Sequence, residues 1–101
     1  MISSKERAYL ISLSAKLENQ NIIGQEGLNE KVCKDIADSL RAHEIVKIKV
    51  LETAPLSVQE LAHEAAERLS AEPVKIIGRK FILYKRNKDN QKIFFGERTK
   101  N

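Results

Sequence analysis

The run Glu-Ile-Val-Lys-Ile-Lys-Val-Leu at residues 44–51 alternates apolar and basic side chains with a period of two. This pattern predicts a strand with one apolar face, formed by Val46, Ile48 and Val50, and one basic face, formed by Lys47 and Lys49. Helical patterns flank the strand on both sides, so the chain joins its strands through helices. Strands joined in this way usually lie parallel through right-handed crossovers, which restricts the chain to an α/β fold.

Three segments carry the capping signals and apolar spacing of helices. Two of them begin with a Ser-x-x-Glu capping box, at Ser3 and at Ser57, and Asn29 is a good N-cap for the helix between them. Apolar residues recur at helical spacing after each cap. The sequence therefore predicts helices over residues 4–18, 30–42 and about 58–71, with Pro73 preventing continuation of the last one.

The remaining apolar runs predict three further strands. Ile22 and Ile23 form a short buried strand, and residues 74–85 form a hairpin with Gly78-Arg79 at its turn. Glycine at the first turn position suits a type II′ turn. Residues 93–95 are interpreted as a short strand that packs back after a polar loop. The order α-β-α-β-α-β-β predicts a two-layer α/β sandwich with a small mixed sheet, in one domain over residues 1–96 followed by a frayed tail over 97–101.

Two glycines three residues apart, Gly24 and Gly27, lie between the first strand and the second helix. Glycine adopts backbone angles closed to other residues, and without a Cβ it lets a partner approach the main chain closely. The helix that opens behind this loop adds unpaired N–H groups and a positive dipole end, which suit a phosphate. A Gly-x-x-Gly loop of this kind holds a nucleic-acid backbone in KH-type modules. On spacing alone, a tight turn remains the alternative.

The charge of the chain is distributed unevenly. The net charge of the 101 residues is +4, but residues 73–101 hold nine Lys or Arg and two Asp or Glu, a balance of +7. This asymmetry indicates a polyanionic partner, most simply a nucleic acid, although a solvated basic tail would look the same. The basic positions singled out as candidates near the loop, the strands and the hairpin are Lys31, Lys34, Lys47, Lys49, Arg79, Lys80, Lys85 and Arg86.

The sequence contains no pattern for catalysis, metal binding or membrane insertion. His43 and His63 have no zinc-ligand spacing with Cys33, which lies on the apolar stripe of the second helix. The glycine loop lacks the Gly-Lys-Ser/Thr of a P-loop, and there is no nucleophile elbow. No apolar run approaches the roughly 20 residues that cross a bilayer. We therefore expect a cytoplasmic, non-enzymatic protein without cofactor, metal or small-molecule substrate.

Three motifs in order give the chain a family resemblance. They are Ile23-Gly24-x-x-Gly27-Leu28, the segment 42–50, and Ile77-Gly78-Arg79 with Leu83-Tyr84 after it. Together they resemble the CRM domain family, whose small bacterial members are the YhbY-type RNA-binding proteins. The resemblance covers about residues 4–95. It implies a fold like the C-terminal domain of translation initiation factor three, and RNA binding through the Gly-x-x-Gly loop and nearby basic residues.

The resemblance also implies roles for particular residues. Gly24 and Gly27 match the loop glycines of the family, Lys47 and Lys49 match its strand lysines, and Arg79 matches its basic hairpin position. The family loop often holds Lys-Asn between the glycines, whereas this chain has Gln25-Glu26. Gln25 is the candidate RNA contact of this pair. Because Glu26 repels phosphate, backbone N–H groups would have to suffice for the contact, or the loop grips RNA less firmly.

Bacterial members of the family associate with precursors of the large ribosomal subunit, and plant relatives act in intron splicing. The resemblance therefore implies an RNA-binding protein of ribosome assembly, with ribosomal RNA or a pre-large-subunit particle as partner. The alternative is an adaptor that docks on a ribosomal protein or on the acidic surface of another partner.

Overall fold

A computed structural model describes residues 2–18, 21–89 and 91–93. Three helices and four strands follow one another in the predicted order, which confirms the α/β fold. Their bounds are α1 Ser4–Ser14, β1 Asn21–Ile23, α2 Glu30–His43, β2 Ile45–Val50, α3 Val58–Leu69, β3 Glu72–Ile77 and β4 Lys80–Tyr84. None of the helices in these described ranges is long and apolar enough to cross a membrane.

The four strands form one mixed sheet with the order β1-β2-β4-β3. Strands β1 and β2 are parallel, while β4 is antiparallel to both β2 and β3. The carboxyl ends of β1 and β2 and the turn between β3 and β4 therefore lie at the same end of the sheet, here called the loop end. The opposite end, where β2 begins and β4 finishes, is here called the far end.

Helices α2 and α3 cover one face of the sheet. The predicted apolar residues of β2, together with Phe81 and Leu83 of β4, pack against Ile36, Leu40 and Leu61 in this main core. Cys33 is half-buried against the same cluster, as its position on the apolar stripe predicted. The caps of all three helices are also confirmed: Ser3 and Ser57 form complete capping boxes, and the Val32 N–H donates to Asn29 Oδ1 at 2.9 Å.

Helix α1 packs on the other face of the sheet and forms a second, smaller core there, so the α/β domain has three layers and not the predicted two. Leu10 lies against the residues of β2, β3 and β4 that point away from the main core, namely Ile45, Val74, Ile82 and Tyr84. The helix ends at Ser14, four residues before the predicted end. The chain turns more tightly after Ser14, where the Leu17 N–H donates to the Ser14 carbonyl at 3.0 Å. Lys47 Nζ donates to the carbonyls of Ser14 at 3.1 Å and of Leu17 at 3.2 Å, which satisfies carbonyls left open by the helix end.

A buried carboxylate links the start of β2 to the segment after β4. Glu44 was predicted to begin the strand, but it is the C-cap of α2, with a left-handed φ of 67°. Its side chain is fully buried. Glu44 Oε2 accepts from the Asn87 N–H at 2.6 Å, and Oε1 accepts from the N–H groups of Lys92 at 2.7 Å and Ile93 at 2.6 Å.

Other boundaries also differ from the sequence prediction. Helix α3 ends at Leu69 because Ser70 takes a left-handed backbone, so Pro73 is not the residue that stops it. Pro73 instead lies inside β3, an edge strand in which its missing N–H is tolerated. Arg7 Nη1 donates to the carbonyls of Pro73 at 2.8 Å and Val74 at 2.5 Å along this edge. Ile93 is buried but not in a strand. Residues 94 and 95, like the predicted tail over 97–101, lie outside the described residues.

Candidate functional site

The Gly-x-x-Gly segment forms a closed turn at the loop end of the sheet. The Gly27 N–H donates to the Gly24 carbonyl at 2.9 Å, which leaves Gln25 and Glu26 exposed at the tip. Gly27 has a φ of +66°, and a Cβ placed on it would lie 3.0 Å from Pro55 Cγ. The fold itself therefore requires glycine at position 27, whatever the loop binds.

Gly24 is different, because the fold does not force its identity. A Cβ placed on Gly24 would lie 3.4 Å from Leu51 Cδ1 and 3.9 Å from Thr53 Oγ1, which are ordinary contact distances. Its φ is not among the positive values of the described residues. Gly24 is partly exposed whereas Gly27 is buried, so Gly24 is the glycine of this turn at which a partner can approach the main chain.

The positive end of α2 opens behind this turn, but local acids oppose it. Glu26 lies in the turn and Glu30 lies in the first turn of α2. Lys31 and Lys34, predicted as candidate contacts, are exposed on α2 and form ion pairs with Asp35 and Asp38, each at 3.1 Å. The hydrogen bond from Lys34 is the main cause that lowers the pKa of Asp38. These pairs leave the start of α2 with little unbalanced positive charge.

Two lysines on neighbouring strands add positive charge to the loop end, beside the Glu18 carboxylate that lines the same groove. Lys49 of β2 lies directly opposite Lys80 of β4 in the antiparallel register. Lys49 is exposed and Lys80 is partly exposed. Like charges placed directly opposite each other destabilise a sheet. The pair therefore does not help the fold, and its two ammonium groups could hold an anion between them.

Arg79 joins the hairpin turn to the end of β2. Its Nε donates to the Val50 carbonyl at 2.9 Å and its Nη2 donates to the Leu51 carbonyl at 2.7 Å. Gly78 has a φ of +60°, and Arg79 does not have a positive φ. A type II′ turn requires a positive φ at its first central residue only, so the predicted turn type is confirmed. The residue is still exposed, so its other N–H donors remain available beside Lys80.

The other candidate residues differ from this group in contacts or in position. Lys47 borders the same groove, but it is half-buried and its Nζ binds carbonyls at the end of α1, so it has a structural role. Lys85 and Arg86 follow β4 at the far end, where Lys85 Nζ donates to the Leu69 carbonyl at 2.9 Å. At about 3.3 Å per residue, the length of β4 puts them roughly 13 Å or more from Lys80.

Sequence reasoning also missed part of the site. Ile22 was predicted to be buried, yet it is 54% exposed at the edge of the sheet. It lines an open groove of about 450 Å³ with Leu17, Glu18, Lys47, Lys49 and Lys80. The sequence signal was present, because Ile22 and Ile23 are adjacent and point to opposite faces of a strand. No group of three or more potential metal ligands occurs among the residues that the structure describes.

Comparisons with known proteins agree with this architecture. The sequence matches the model of the CRS1 / YhbY (CRM) domain over residues 2–85. It is 29% identical over 93 residues to "Probable RNA-binding protein YqeI" of Bacillus subtilis (strain 168), covering 92% of this chain and 97% of the relative. It is 29% identical over 84 residues to an "RNA-binding protein" of Haemophilus influenzae, covering 83% of this chain and 85% of the relative.

A solved structure shares the fold. The solution structure of a hypothetical protein from Staphylococcus aureus, described by its name as a candidate RNA-binding protein, matches with a TM-score of 0.78. The two sequences are 33% identical, and the match covers 93% of this chain and 98% of the other.

Proposed function

Because the chain belongs to the CRS1 / YhbY (CRM) domain family, we propose that it binds RNA through the loop end of its sheet. The observation that carries this proposal is the position of Lys49 and Lys80 opposite each other, beside Arg79 and the Gly24–Gly27 turn. Lysine and arginine neutralise phosphates, and an accessible glycine turn lets a nucleic-acid backbone approach. The role is one of binding rather than catalysis, in keeping with the names of the relatives.

The finer proposal is that the RNA is ribosomal and that the protein acts on precursors of the large subunit in the cytoplasm. It rests on the family resemblance of the sequence motifs. Co-sedimentation of the tagged protein with pre-large-subunit particles, followed by crosslinking and sequencing of the bound RNA, tests it. Release from the particles by RNase supports an RNA partner, whereas retention on a ribosomal protein after RNase treatment supports the adaptor alternative.

Binding that neutralises about four to six phosphates is expected to weaken with salt, with a slope of log affinity against log salt of roughly −3 to −5. The physical reason is the release of condensed counterions from the RNA. Fluorescence anisotropy with a labelled RNA over a range of potassium chloride concentrations measures this slope. An affinity that does not change between low and moderate salt would contradict electrostatic binding.

Replacing Glu26 with lysine is expected to tighten RNA binding about 3- to 10-fold, because one repulsive charge at the turn becomes attractive. Glu26 is exposed at the tip of the turn, so the fold tolerates the change. The matched control is Asp89→Lys, which makes the same charge change in an exposed residue after β4. Equal gains in both variants would show that net charge alone matters and that the turn makes no contact.

A further inference from the structure

The open part of the sheet face beyond α1 carries a regular row of four residues. Register pairs place Ile22 beside Lys49, Lys49 beside Lys80, and Lys80 beside Ile77, one residue from each of the four strands. Residues paired in this way point to the same face of a sheet. The row therefore has two lysines at its centre and an isoleucine at each edge. We call it the cross-strand row.

In the part of the chain that the structure describes, α1 is the helix on this face, and it leaves the row uncovered because it ends at Ser14. Lys47 holds the end of α1 over the middle of β2, and the next residue on that face is Lys49. Ile22 is 54% exposed and Ile77 is 46% exposed, the highest values among the large exposed apolar residues of the described chain. The groove of about 450 Å³ lies at the Ile22 side of the row, with Leu17 as a second apolar wall and with Glu18 as its one acidic lining residue.

We propose that the cross-strand row binds single-stranded RNA, with phosphates on Lys49 and Lys80 and unstacked bases against Ile22 and Ile77. This inference rests on the proposed function and narrows its substrate to unpaired RNA. The row is chemically complementary to an unpaired strand. An unpaired nucleotide offers an anionic phosphate next to an apolar base face, and the row offers ammonium groups next to exposed aliphatic side chains.

A duplex does not have this complementarity. Its phosphates face outward while its base faces are stacked inside, so a double helix can contact the two lysines but cannot place a base on either isoleucine. Strands in a sheet lie about 4.8 Å apart, which gives the row of four a length of roughly 14 Å. That length suits a short stretch of extended RNA crossing the strands, and the edge isoleucines then contact bases on either side of the lysines.

The test compares three probes on the full chain: an unstructured RNA of about 12 nucleotides, a blunt RNA duplex of similar length, and inorganic polyphosphate. The single strand is expected to bind about 10-fold more tightly than the duplex, because only its bases reach the isoleucines. Ile22→Ser and Ile77→Ser are each expected to weaken single-strand binding about 3- to 10-fold and to leave polyphosphate binding unchanged, since polyphosphate has no bases.

Ile76→Ser is the matched control. Ile76 is 38% exposed and adjacent to Ile77, but it pairs with Phe81 and so faces the main core side. This variant is expected to bind all three probes like the unmodified chain. Equal affinity for single strand and duplex, or unchanged RNA binding by folded Ile22→Ser and Ile77→Ser, would overturn the inference and leave the proposed RNA binding intact. Failure of the unmodified chain to bind either RNA would instead overturn the proposed function and, with it, the inference.

Discussion

Exchanging both Lys49 and Lys80 for glutamate is expected to weaken RNA binding by about 30- to 150-fold. Each reversed charge costs about 1–1.5 kcal/mol of binding free energy, and 1.4 kcal/mol corresponds to a tenfold change in affinity. Titration of a labelled single-stranded RNA by anisotropy measures the loss. The matched control is Lys88→Glu, in an exposed residue after β4 at the far end of the sheet, with a much smaller expected effect.

The single variant Lys80→Glu separates binding from folding. It places a carboxylate directly opposite Lys49 and replaces a like-charge pair by an opposite-charge pair. The free energy of unfolding is therefore expected to rise by about 0.2–1 kcal/mol, while the affinity for RNA falls. Urea denaturation and anisotropy on the same preparation give both quantities. If stability and affinity fall together, Lys80 has a structural role and the site lies elsewhere.

The second large effect is expected at Glu44. Glu44→Ala removes the acceptor of three backbone N–H groups and leaves at least the buried Ile93 N–H without its partner. The free energy of unfolding is expected to fall by about 2–4 kcal/mol, because unsatisfied polar groups and lost charge-assisted hydrogen bonds both destabilise the fold. For a domain of this size this corresponds to a fall in melting temperature of roughly 10–25 °C.

Two further variants identify the cause of the expected stability loss in Glu44→Ala. Glu44→Gly relieves the left-handed backbone at φ 67° but still lacks the acceptor, so it is expected to remain strongly destabilised. Glu67→Ala, in an exposed carboxylate on α3 with a 3.5 Å contact to His63, is expected to change stability by less than about 0.5 kcal/mol. A Glu44→Gly protein as stable as the original would show that backbone strain, not hydrogen bonding, dominates at this position.

The features that the sequence predicted correctly are local ones. The N-caps at Ser3, Asn29 and Ser57 depend on contacts within three residues, so the pattern contains all the information that they need. The strand β2 and its two faces follow from a period of two, and the parallel and antiparallel pairings follow from the connections. The family resemblance is likewise confirmed, because its motifs are short and appear in the right order.

The features that the sequence did not reveal depend on distant contacts. The carbonyls at the end of α1 are bound by Lys47, which is 30 residues from Leu17 and 33 residues from Ser14. The burial of Glu44 depends on a segment more than 40 residues away. The division of the basic candidates into the loop end and the far end depends on strand direction, because Lys80 and Lys85 are close in sequence but lie at opposite ends of β4.

The contact of Arg7 with β3 bears on how partners can approach the sheet. An exposed edge strand invites another chain to extend the sheet by backbone pairing. Here Arg7 donates to the carbonyls of Pro73 and Val74, and proline has no N–H to donate. The first half of the β3 edge therefore cannot pair with the backbone of another strand. Only Lys75–Ile77 of β3 remain open to backbone pairing with another chain. These are fewer residues than the five or six that are typical of a strand. The sheet is therefore protected from growth at this edge, while its open face stays accessible to partners.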